Sequence, residues 1–314
     1  MRGNIPVSCR GGWFSDLLHL AGAAALVASV CACGSGGSQG QQPMFAVLSA
    51  FPAELAAVLE QATVEDTVMV NGHVFRIGTL GGVPALMGMT GIGLVNATAT
   101  TDAVLDQFNV TGVIVSAVAG SSLVIGDVVV PQSWELDDGS TYPVDRRWFE
   151  FAAALSGPGA VSLDRCTVPV SDPSQGQVCI LQEPTVVLGG VGHSSDPFGG
   201  TAFPCQPNDG DVFGCDVGSG PAASGPGADR VRADGAAADT AMPIVDDMET
   251  AAIAREAAAH GVRFIAFRAV SDGAGDPLGL PGFPSQFFAY YRLAAHNAAA
   301  ATVAFIKGFG GGPV

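Results

Sequence analysis

Residues 44–131 alternate short apolar runs with helical segments, and this alternation constrains the fold of the chain most strongly. Met44–Ser49 is a continuous apolar run typical of a buried strand, and Pro52 favours the start of a helix that reaches about Gln61. Asn71-Gly72 is a strong hairpin signal between two further apolar runs. The remaining predicted elements of this segment are strands at 67–70, 73–77, 83–89, 113–118 and 127–131 and a helix at 94–108. Strands alternating with helices predict an α/β fold.

A less regular segment follows, and the pattern then returns. Residues 137–240 are rich in Gly, Pro, Asp and Ser, and 219–240 has the composition of a low-complexity surface loop. The predicted elements beyond it are a helix at 248–260, a strand at 263–270 and a helix at 284–307. We therefore expect one domain over residues 44–310, with a loop-rich middle at 137–240.

The composition narrows the classes of function. The 13 Lys+Arg against 29 Asp+Glu give a formal net charge of −16, only 13% of residues are charged, and 48% are hydrophobic. A disordered chain needs the opposite balance. A nucleic-acid-binding protein needs clustered basic side chains to neutralise phosphates. We expect a folded protein that is neither a nucleic-acid partner nor, since repeated long apolar spans are absent, a polytopic membrane protein.

Residues 1–33 are typical of a secretion signal. Arg2 and Arg10 precede a short apolar core at 17–30, which suits a signal peptide better than a transmembrane helix. Ala32-Cys33 before a flexible Gly/Ser tether at 34–43 resembles a bacterial lipobox, in which Cys33 carries the lipid. The alternative is an ordinary cleaved signal with incidental cysteines. We expect an exported bacterial protein, periplasmic or on the outer cell surface, that contacts the membrane only through an N-terminal lipid.

The four cysteines beyond the signal predict two disulfides. Four cysteines allow three pairings, and the simplest joins sequence neighbours, Cys166 with Cys179 and Cys205 with Cys215. An oxidising compartment favours disulfides in such loop-rich sequence. A zinc site is the alternative, but the spacing does not suit close ligand pairs, and His193 is the histidine nearest to them. We expect no metal.

Three acidic residues stand near the ends of predicted elements. Glu54 opens the helix after the first strand, Glu249 opens the helix at 248–260, and Asp272 follows the strand at 263–270. Ligands of open α/β sheets bind beyond the carboxyl ends of strands, and two carboxylates in one cleft can divide acid and base roles. The alternative is that an acid in the first turn only caps its helix or complements the dipole.

Five short motifs stand in an order that indicates a family resemblance. They are Ser-Ala-Phe-Pro-Ala-Glu at 49–54, Thr-Gly-Ile-Gly-Leu-Val-Asn-Ala at 90–97, Ala119-Gly120 with Ile-Gly-Asp-Val-Val-Val-Pro at 125–131, Met-Glu-Thr-Ala-Ala at 248–252 and Arg-Ala-Val-Ser-Asp at 268–272. Together they resemble the nucleoside phosphorylase superfamily, closest to the methylthioadenosine/S-adenosylhomocysteine nucleosidases and the plant bark-storage-protein relatives. The resemblance covers about residues 44–135 and 240–308. It implies a three-layer α/β/α domain around a mixed, partly barrel-like sheet, usually in a homodimer or higher oligomer.

The resemblance also implies roles for the acids. Asp272 matches the family's general acid, which protonates N7 of the leaving purine, and Glu54 matches the carboxylate that positions and deprotonates the attacking water. Glu249 matches the residue that holds the ribose hydroxyls, and Met248 matches the side chain that lies against the sugar. Carboxylates near the sugar would stabilise an oxocarbenium-like transition state.

Other matched residues have more than one interpretation. Arg268 matches a residue near the water, and an ion pair explains it equally well. Ser271 could hold Asp272 by a hydrogen bond or cap the turn, and Gly120 of the central motif is expected to line the substrate site. In the poorly matched loop 189–198, Phe198 could stack on the base or simply pack, and His193 could bind a ligand or lie in solvent.

The central motif favours water over phosphate as the nucleophile. Nucleoside phosphorylases carry an Arg before this motif to hold the dianion, whereas residues 112–120 contain none. Gly91-Ile92-Gly93 at a helix start could still bind an anion. The chain departs from the nucleosidases at Val118, Ser121 and Asp247, where they have Ser, Gly and usually Glu.

We therefore expect hydrolysis of the N-glycosidic bond of a purine nucleoside or thionucleoside, by a homodimer without a cofactor. The departures leave two alternatives open. One is a non-catalytic nucleoside-binding or storage protein on the same fold, and the other is a phosphate-dependent phosphorylase.

Overall fold

The computed structural model describes residues 42–157, 159–218 and 244–309, so the expected signal, Cys33, most of the tether and the 219–240 loop lie outside the described residues. The strands are β1 (Met44–Ser49), β2 (Ala62–Val70), β3 (His73–Leu80), β4 (Val83–Met89), β5 (Val110–Val124), β6 (Val128–Val130), β7 (Ser133–Leu136), β8 (Thr141–Pro143), β9 (Cys166–Thr167), β10 (Val178–Cys179), β11 (Val186–Leu188), β12 (Val191–Ser194), β13 (Val245–Asp247) and β14 (Arg263–Ala274). The helices are α1 (Pro52–Leu59), α2 (Leu94–Gln107), α3 (Arg146–Ala152), α4 (Gly210–Phe213), α5 (Thr250–Ala259) and α6 (Ser285–Phe309), with 3₁₀ turns at Ala153–Ser156 and Pro173–Gln175.

A mixed sheet of 12 strands forms the centre of the described residues, and β9 and β10 form a separate pair. The long strand β5 pairs in parallel with β1 on one side and with β14 on the other. The hairpin of β2 and β3 adds antiparallel strands next to β4, and its turn places Asn71 and Gly72 at positive φ, as the Asn-Gly signal predicts. Over the described ranges the sheet does not close into a barrel.

Helices cover both faces of the sheet because its buried strands are apolar on both sides. Along β1, Phe45 and Val47 belong to one apolar cluster, whereas Ala46 and Leu48 belong to the other. The first cluster contains buried side chains from α1 and most of those from α6, and the second contains buried side chains from α2 and α5. This is the alternation of a strand buried on both faces, and it confirms the expected α/β/α layers.

The carboxyl ends of β1, β5 and β14 lie together because these strands are parallel neighbours. Beyond Val115, where β1 stops pairing with β5, β13 takes over that side of β5 through the pair Asp246 and Gly120. On the opposite side, Gly120 pairs with Asp272 of β14. Three residues that are distant in sequence, Gly120, Asp246 and Asp272, therefore lie side by side in the C-terminal half of β5 and its neighbours.

Several element boundaries differ from the predicted ones. The helix predicted to begin at Met248 begins at Thr250, because Val245–Asp247 forms β13 and Glu249 is the N-cap residue. Asp272 lies within β14, not beyond its end, since the strand continues to Ala274 through a register shift. The middle segment also contains the short β8, β12, α3 and α4, which the sequence pattern did not indicate, and the equally unpredicted β7 directly precedes it.

Both expected disulfides are present. Cys166 is joined to Cys179 and Cys205 to Cys215. The first links the paired strands β9 and β10, and the second closes the segment that contains α4. Among the helices of the described ranges, none is both long and apolar enough to span a membrane.

Candidate active site

Glu54 is held by backbone N–H groups from two elements. It stands in the first turn of α1, where its Oε2 accepts hydrogen bonds from the N–H of Ala50 at 2.6 Å and of Phe51 at 3.3 Å. Its Oε1 accepts from the N–H of Val118 in β5 at 2.8 Å. The side chain therefore caps α1, as the alternative interpretation predicts, and also reaches the end of the central strand.

Arg268 is the cation of this region and is fully buried. Its Nη1 donates to the carbonyl of Val118 at 2.8 Å, and its Nε donates to the Oγ1 of Thr250 at 2.8 Å. Its Nη2 lies 2.8 Å from Oδ2 of Asp247 and 3.3 Å from Oε2 of Glu249. Arg268 is therefore an ion-pair partner that shares Val118 with Glu54, and its expected place near the water stays a prediction.

Glu249 links two helices at the sheet edge. It is the N-cap residue of α5, and its Oε1 accepts from the N–H of Gly93 at the start of α2 at 2.9 Å. The Gly91–Gly93 turn that could have bound an external anion therefore already binds a carboxylate of the protein. Phe198 packs against the same turn, since a Cβ on Gly93 would lie 2.8 Å from its ring.

Asp247, the last residue of β13, fixes the turn into α5 that carries Glu249. Its Oδ1 accepts from the hydroxyl of Ser194 and from the N–H groups of Glu249 and Thr250, and its Oδ2 accepts from the hydroxyl of Thr250. Asp247 and Ser194 were not predicted as site residues, and Asp247 appeared only as a departure from the family pattern. An Asp three residues before a helical Thr is a capping signal that could have identified it.

Burial dominates the electrostatics of these acids. Burial raises the pKa of Glu54 to about 8, and the opposing effects of Arg268 and of the Val118 N–H do not offset it. Burial likewise raises the pKa of Glu249, against the charge of Arg268. Burial acts to lower the pKa of Arg268, but the carboxylates of Asp247, Glu249 and Glu54 raise it overall. One guanidinium thus faces three buried carboxyl groups, which favours retention of a proton among them.

Asp272 lies beside Gly120 at the end of β5. Its Oδ1 accepts a hydrogen bond from the hydroxyl of Ser271 at 2.7 Å, which is the positioning contact expected of Ser271. A Cβ on Gly120 would lie 2.8 Å from Oδ2 of Asp272, so only glycine leaves room for this carboxyl group. Burial raises the pKa of Asp272, and the Ser271 hydrogen bond lowers it. A carboxyl group with a raised pKa suits a proton donor.

The main chain of β5 therefore connects the candidate acids. Glu54 and Arg268 bind the peptide groups of Val118, and Asp272 adjoins Gly120 two residues further on. Glu249 joins them through Arg268. Phe198 is half-buried beside Gly93 and lies 4.8 Å from Phe203 between ring centroids, while Met248 is half-buried next to Glu249. The roles of these residues toward a substrate remain predictions.

Two other features of the described residues lie apart from the acids. A cavity of about 250 Å³ lies at the start of β14, and its lining includes Asp145, Arg263 and Phe264. Measured along β14, this end of the strand is roughly 30 Å from Asp272. Asp102, Asp106 and His260 form the one group among the described residues with spacing for a metal ion. They are at the C-terminal ends of α2 and α5, whereas Gly93 and Glu249 are at the N-terminal ends.

Comparison with known proteins identifies a family and relatives that match most of the chain. Residues 44–307 match the family model of the phosphorylase superfamily. An uncharacterized protein of Mycobacterium tuberculosis is 37% identical over 190 residues, which are 53% of this chain and 74% of that protein. A 5′-methylthioadenosine/S-adenosylhomocysteine nucleosidase of Tolumonas auensis is 27% identical over 264 residues, 83% of this chain and 97% of the relative. The structure of the Neisseria meningitidis nucleosidase of that name, in complex with methylthio-immucillin-A, has a TM-score of 0.57 at 20% identity and covers 85% of this chain and 99% of its own.

Proposed function

The chain belongs to the phosphorylase superfamily, and we propose that it hydrolyses the N-glycosidic bond of a purine nucleoside or thionucleoside. The observation that carries this proposal is the grouping of Glu54 and Asp272 at residues 118–120 of β5, where Glu249 joins them through Arg268. The similarity to a nucleosidase, which covers 97% of that relative, supports the same reaction class.

In the proposed reaction, Asp272 acts on the leaving purine and Glu54 acts on the attacking water, on opposite sides of the glycosidic carbon. Asp272, held by Ser271, donates a proton to the purine so that the base leaves as a neutral molecule. Glu54 accepts a proton from the attacking water, and Glu249 binds the ribose hydroxyls. The breaking C–N bond leaves positive charge on the sugar, which the surrounding carboxylates stabilise. That charge would also lower the pKa of Glu54 and favour its ionised form.

Water fits this site better than phosphate does. Each of the three guanidinium nitrogens of Arg268 already donates to an acceptor of the protein. The N–H of Gly93 is bound to Glu249. A phosphate dianion would therefore face several carboxylates while Arg268, the cation that lies among them, is already bound to the protein, and repulsion between like charges opposes its binding.

The proposal is tested by the release of free base from purified mature protein. Adenosine, inosine, methylthioadenosine and S-adenosylhomocysteine are each offered with and without inorganic phosphate, and the base is measured by chromatography. Base release that is independent of phosphate is the expected result. Release only with phosphate would replace hydrolysis by phosphorolysis. Absence of release, with a nucleoside still raising the melting temperature, would favour a binding or storage protein.

We also propose that the protein is exported and anchored by a lipid on Cys33. The sequence of residues 1–33 supports export, and the two disulfides fit an oxidising compartment. Expression in a bacterial host with labelled palmitate should label the protein and give a membrane-bound form. The Cys33→Ala variant should lose both, whereas a Cys9→Ala control should keep them.

We further propose that the protein forms a homodimer, on the basis of the family resemblance. Sedimentation of the mature protein tests this.

A further inference from the structure

A row of paired residues crosses the sheet beside the proposed proton donor. His193 of β12 pairs with Asp246 of β13, Asp246 pairs with Gly120 of β5, and Gly120 pairs with Asp272 of β14. Residues directly opposite each other on neighbouring strands project to the same face of a sheet. Asp246 and Asp272 therefore flank Gly120 on one face, with their Cα atoms about 10 Å apart at the usual strand spacing.

The strand between the two aspartates contributes no side chain to the gap. Gly120 has only hydrogen there, and the Asp272 carboxyl group occupies the space that a Cβ would take. The charge of Asp246 therefore acts on Asp272 without an intervening side chain from β5. In agreement, the Asp246 charge raises the pKa of Asp272, after the larger effect of burial.

His193 lies on the far side of Asp246 and contacts two carboxylates at once. Its Nδ1 is 3.3 Å from Oδ1 of Asp246, and its Nε2 is 3.0 Å from Oδ1 of Asp137. Both nitrogens can donate a hydrogen bond only when the imidazole is protonated. Glu135 of β7 stands opposite His193 in the same row and adds a further negative group. The imidazolium thus counters the negative charge of Asp246.

We propose that His193, acting through Asp246, controls the pH at which Asp272 releases its proton, and that His193 and Asp246 are positioning residues of the proposed reaction. This inference rests on the proposed function of Asp272. When His193 is protonated, it neutralises part of the Asp246 charge, and Asp272 releases its proton at lower pH. When His193 is neutral, Asp246 acts in full, and Asp272 holds its proton to higher pH.

The test is the pH profile of kcat/KM for base release in the mature protein, with a double-mutant cycle. The Asp246→Asn variant should shift the limb of the profile that the Asp272 titration sets down by roughly half to one pH unit. The His193→Gln variant should shift the same limb up. In the Asp246→Asn background, His193→Gln should have no further effect, because the charge it counters is gone. His296→Gln, a half-exposed histidine of α6, is the control and should leave the limb unchanged.

A second readout separates this proposal from the proposed function. The protonation of Asp272 can be followed by NMR of ¹³C-carboxyl-labelled aspartate, assigned by the signal that the Asp272→Asn variant loses, with no substrate present. Opposite shifts of this titration in the two single variants, without any base release, would keep the inference about the His193–Asp246 pair and reject the proposed reaction. An Asp272 titration that neither variant moves, or a His193→Gln shift that persists in the Asp246→Asn background, would overturn the inference even in an active enzyme.

Discussion

The Oε1 atom of Glu54 accepts a hydrogen bond from the backbone N–H of Val118 at 2.8 Å, across 64 residues of chain. The carbonyl of Val118 accepts a hydrogen bond from Arg268, so one residue of β5 orients both a buried carboxyl group and a buried guanidinium group. Only main-chain atoms of Val118 take part in these bonds. The side chain at position 118, where the chain departs from the resembled pattern, is therefore not needed for the contact to Glu54.

The Glu54→Gln variant should lose base release by about 10²–10⁴-fold while keeping its fold, because an amide cannot accept a proton from water. Steady-state assays with the best substrate of the panel measure the loss, and circular dichroism verifies the fold. Glu60→Gln is the matched control, since Glu60 is the exposed glutamate at the end of the same helix. Full activity of Glu54→Gln, or an equal loss in Glu60→Gln, would contradict the role of Glu54.

The buried Glu54 should also make stability depend on pH. Its pKa is raised from 4.5 to about 8, so the folded protein binds a proton that the unfolded chain releases. The contribution of Glu54 to stability is therefore full below pH 4.5 and is lost as the pH rises toward 8, at a cost of roughly 3–5 kcal/mol. Urea unfolding at pH 5 and pH 9 measures this change. The wild-type protein should lose more stability between these pH values than Glu54→Gln, and equal losses would show that Glu54 does not hold a proton at neutral pH.

The strands and the candidate acids that could be predicted from sequence are those with a local signal. Met44–Ser49 and the predicted part of β5 at 113–118 are mostly apolar, as expected of strands whose two faces are covered by helices. Glu54 and Glu249 stand at helix starts, and Asp272 ends an apolar run, so position along the chain alone selected them. The turn at Asn71 and Gly72 was likewise predicted from these two residues alone.

The features that escaped prediction depend on pairing between distant segments. β13 is three residues long and two of them are Asp, so it has no apolar period that could reveal a strand. Its place in the sheet comes from its pairing with β12 and with Gly120 of β5. The contacts of Asp247 with Arg268 and of His193 with Asp246 follow from that pairing, and no local pattern encodes them.

Removal of Arg268 should be strongly destabilising. The Arg268→Met variant leaves Asp247, Glu249 and Glu54 buried without their cation, which typically costs about 3–5 kcal/mol. The loss should be smaller at pH 5 than at pH 8, because protonation removes the uncompensated charge. Chemical unfolding at both pH values measures it. Arg146→Gln, which breaks an exposed pair with Glu150, should cost under about 1 kcal/mol, and a similar small cost for Arg268→Met would mean that the buried cluster does not need its cation.

The Gly120→Ala variant should impair the proton donor more than the fold. The added Cβ would lie 2.8 Å from Oδ2 of Asp272, so the carboxyl group must move and its hydrogen bond from Ser271 is strained. A displacement of this size at a reacting group costs about 10²-fold in rate, whereas stability should change by no more than about 1–3 kcal/mol. Gly282→Ala is the matched control, because a Cβ there meets no atom within 4 Å. The comparison of kcat with the melting temperature in both variants is the measurement. Normal kcat in Gly120→Ala would mean that Asp272 need not occupy this position to act, and the assignment of Asp272 as the proton donor would then fail.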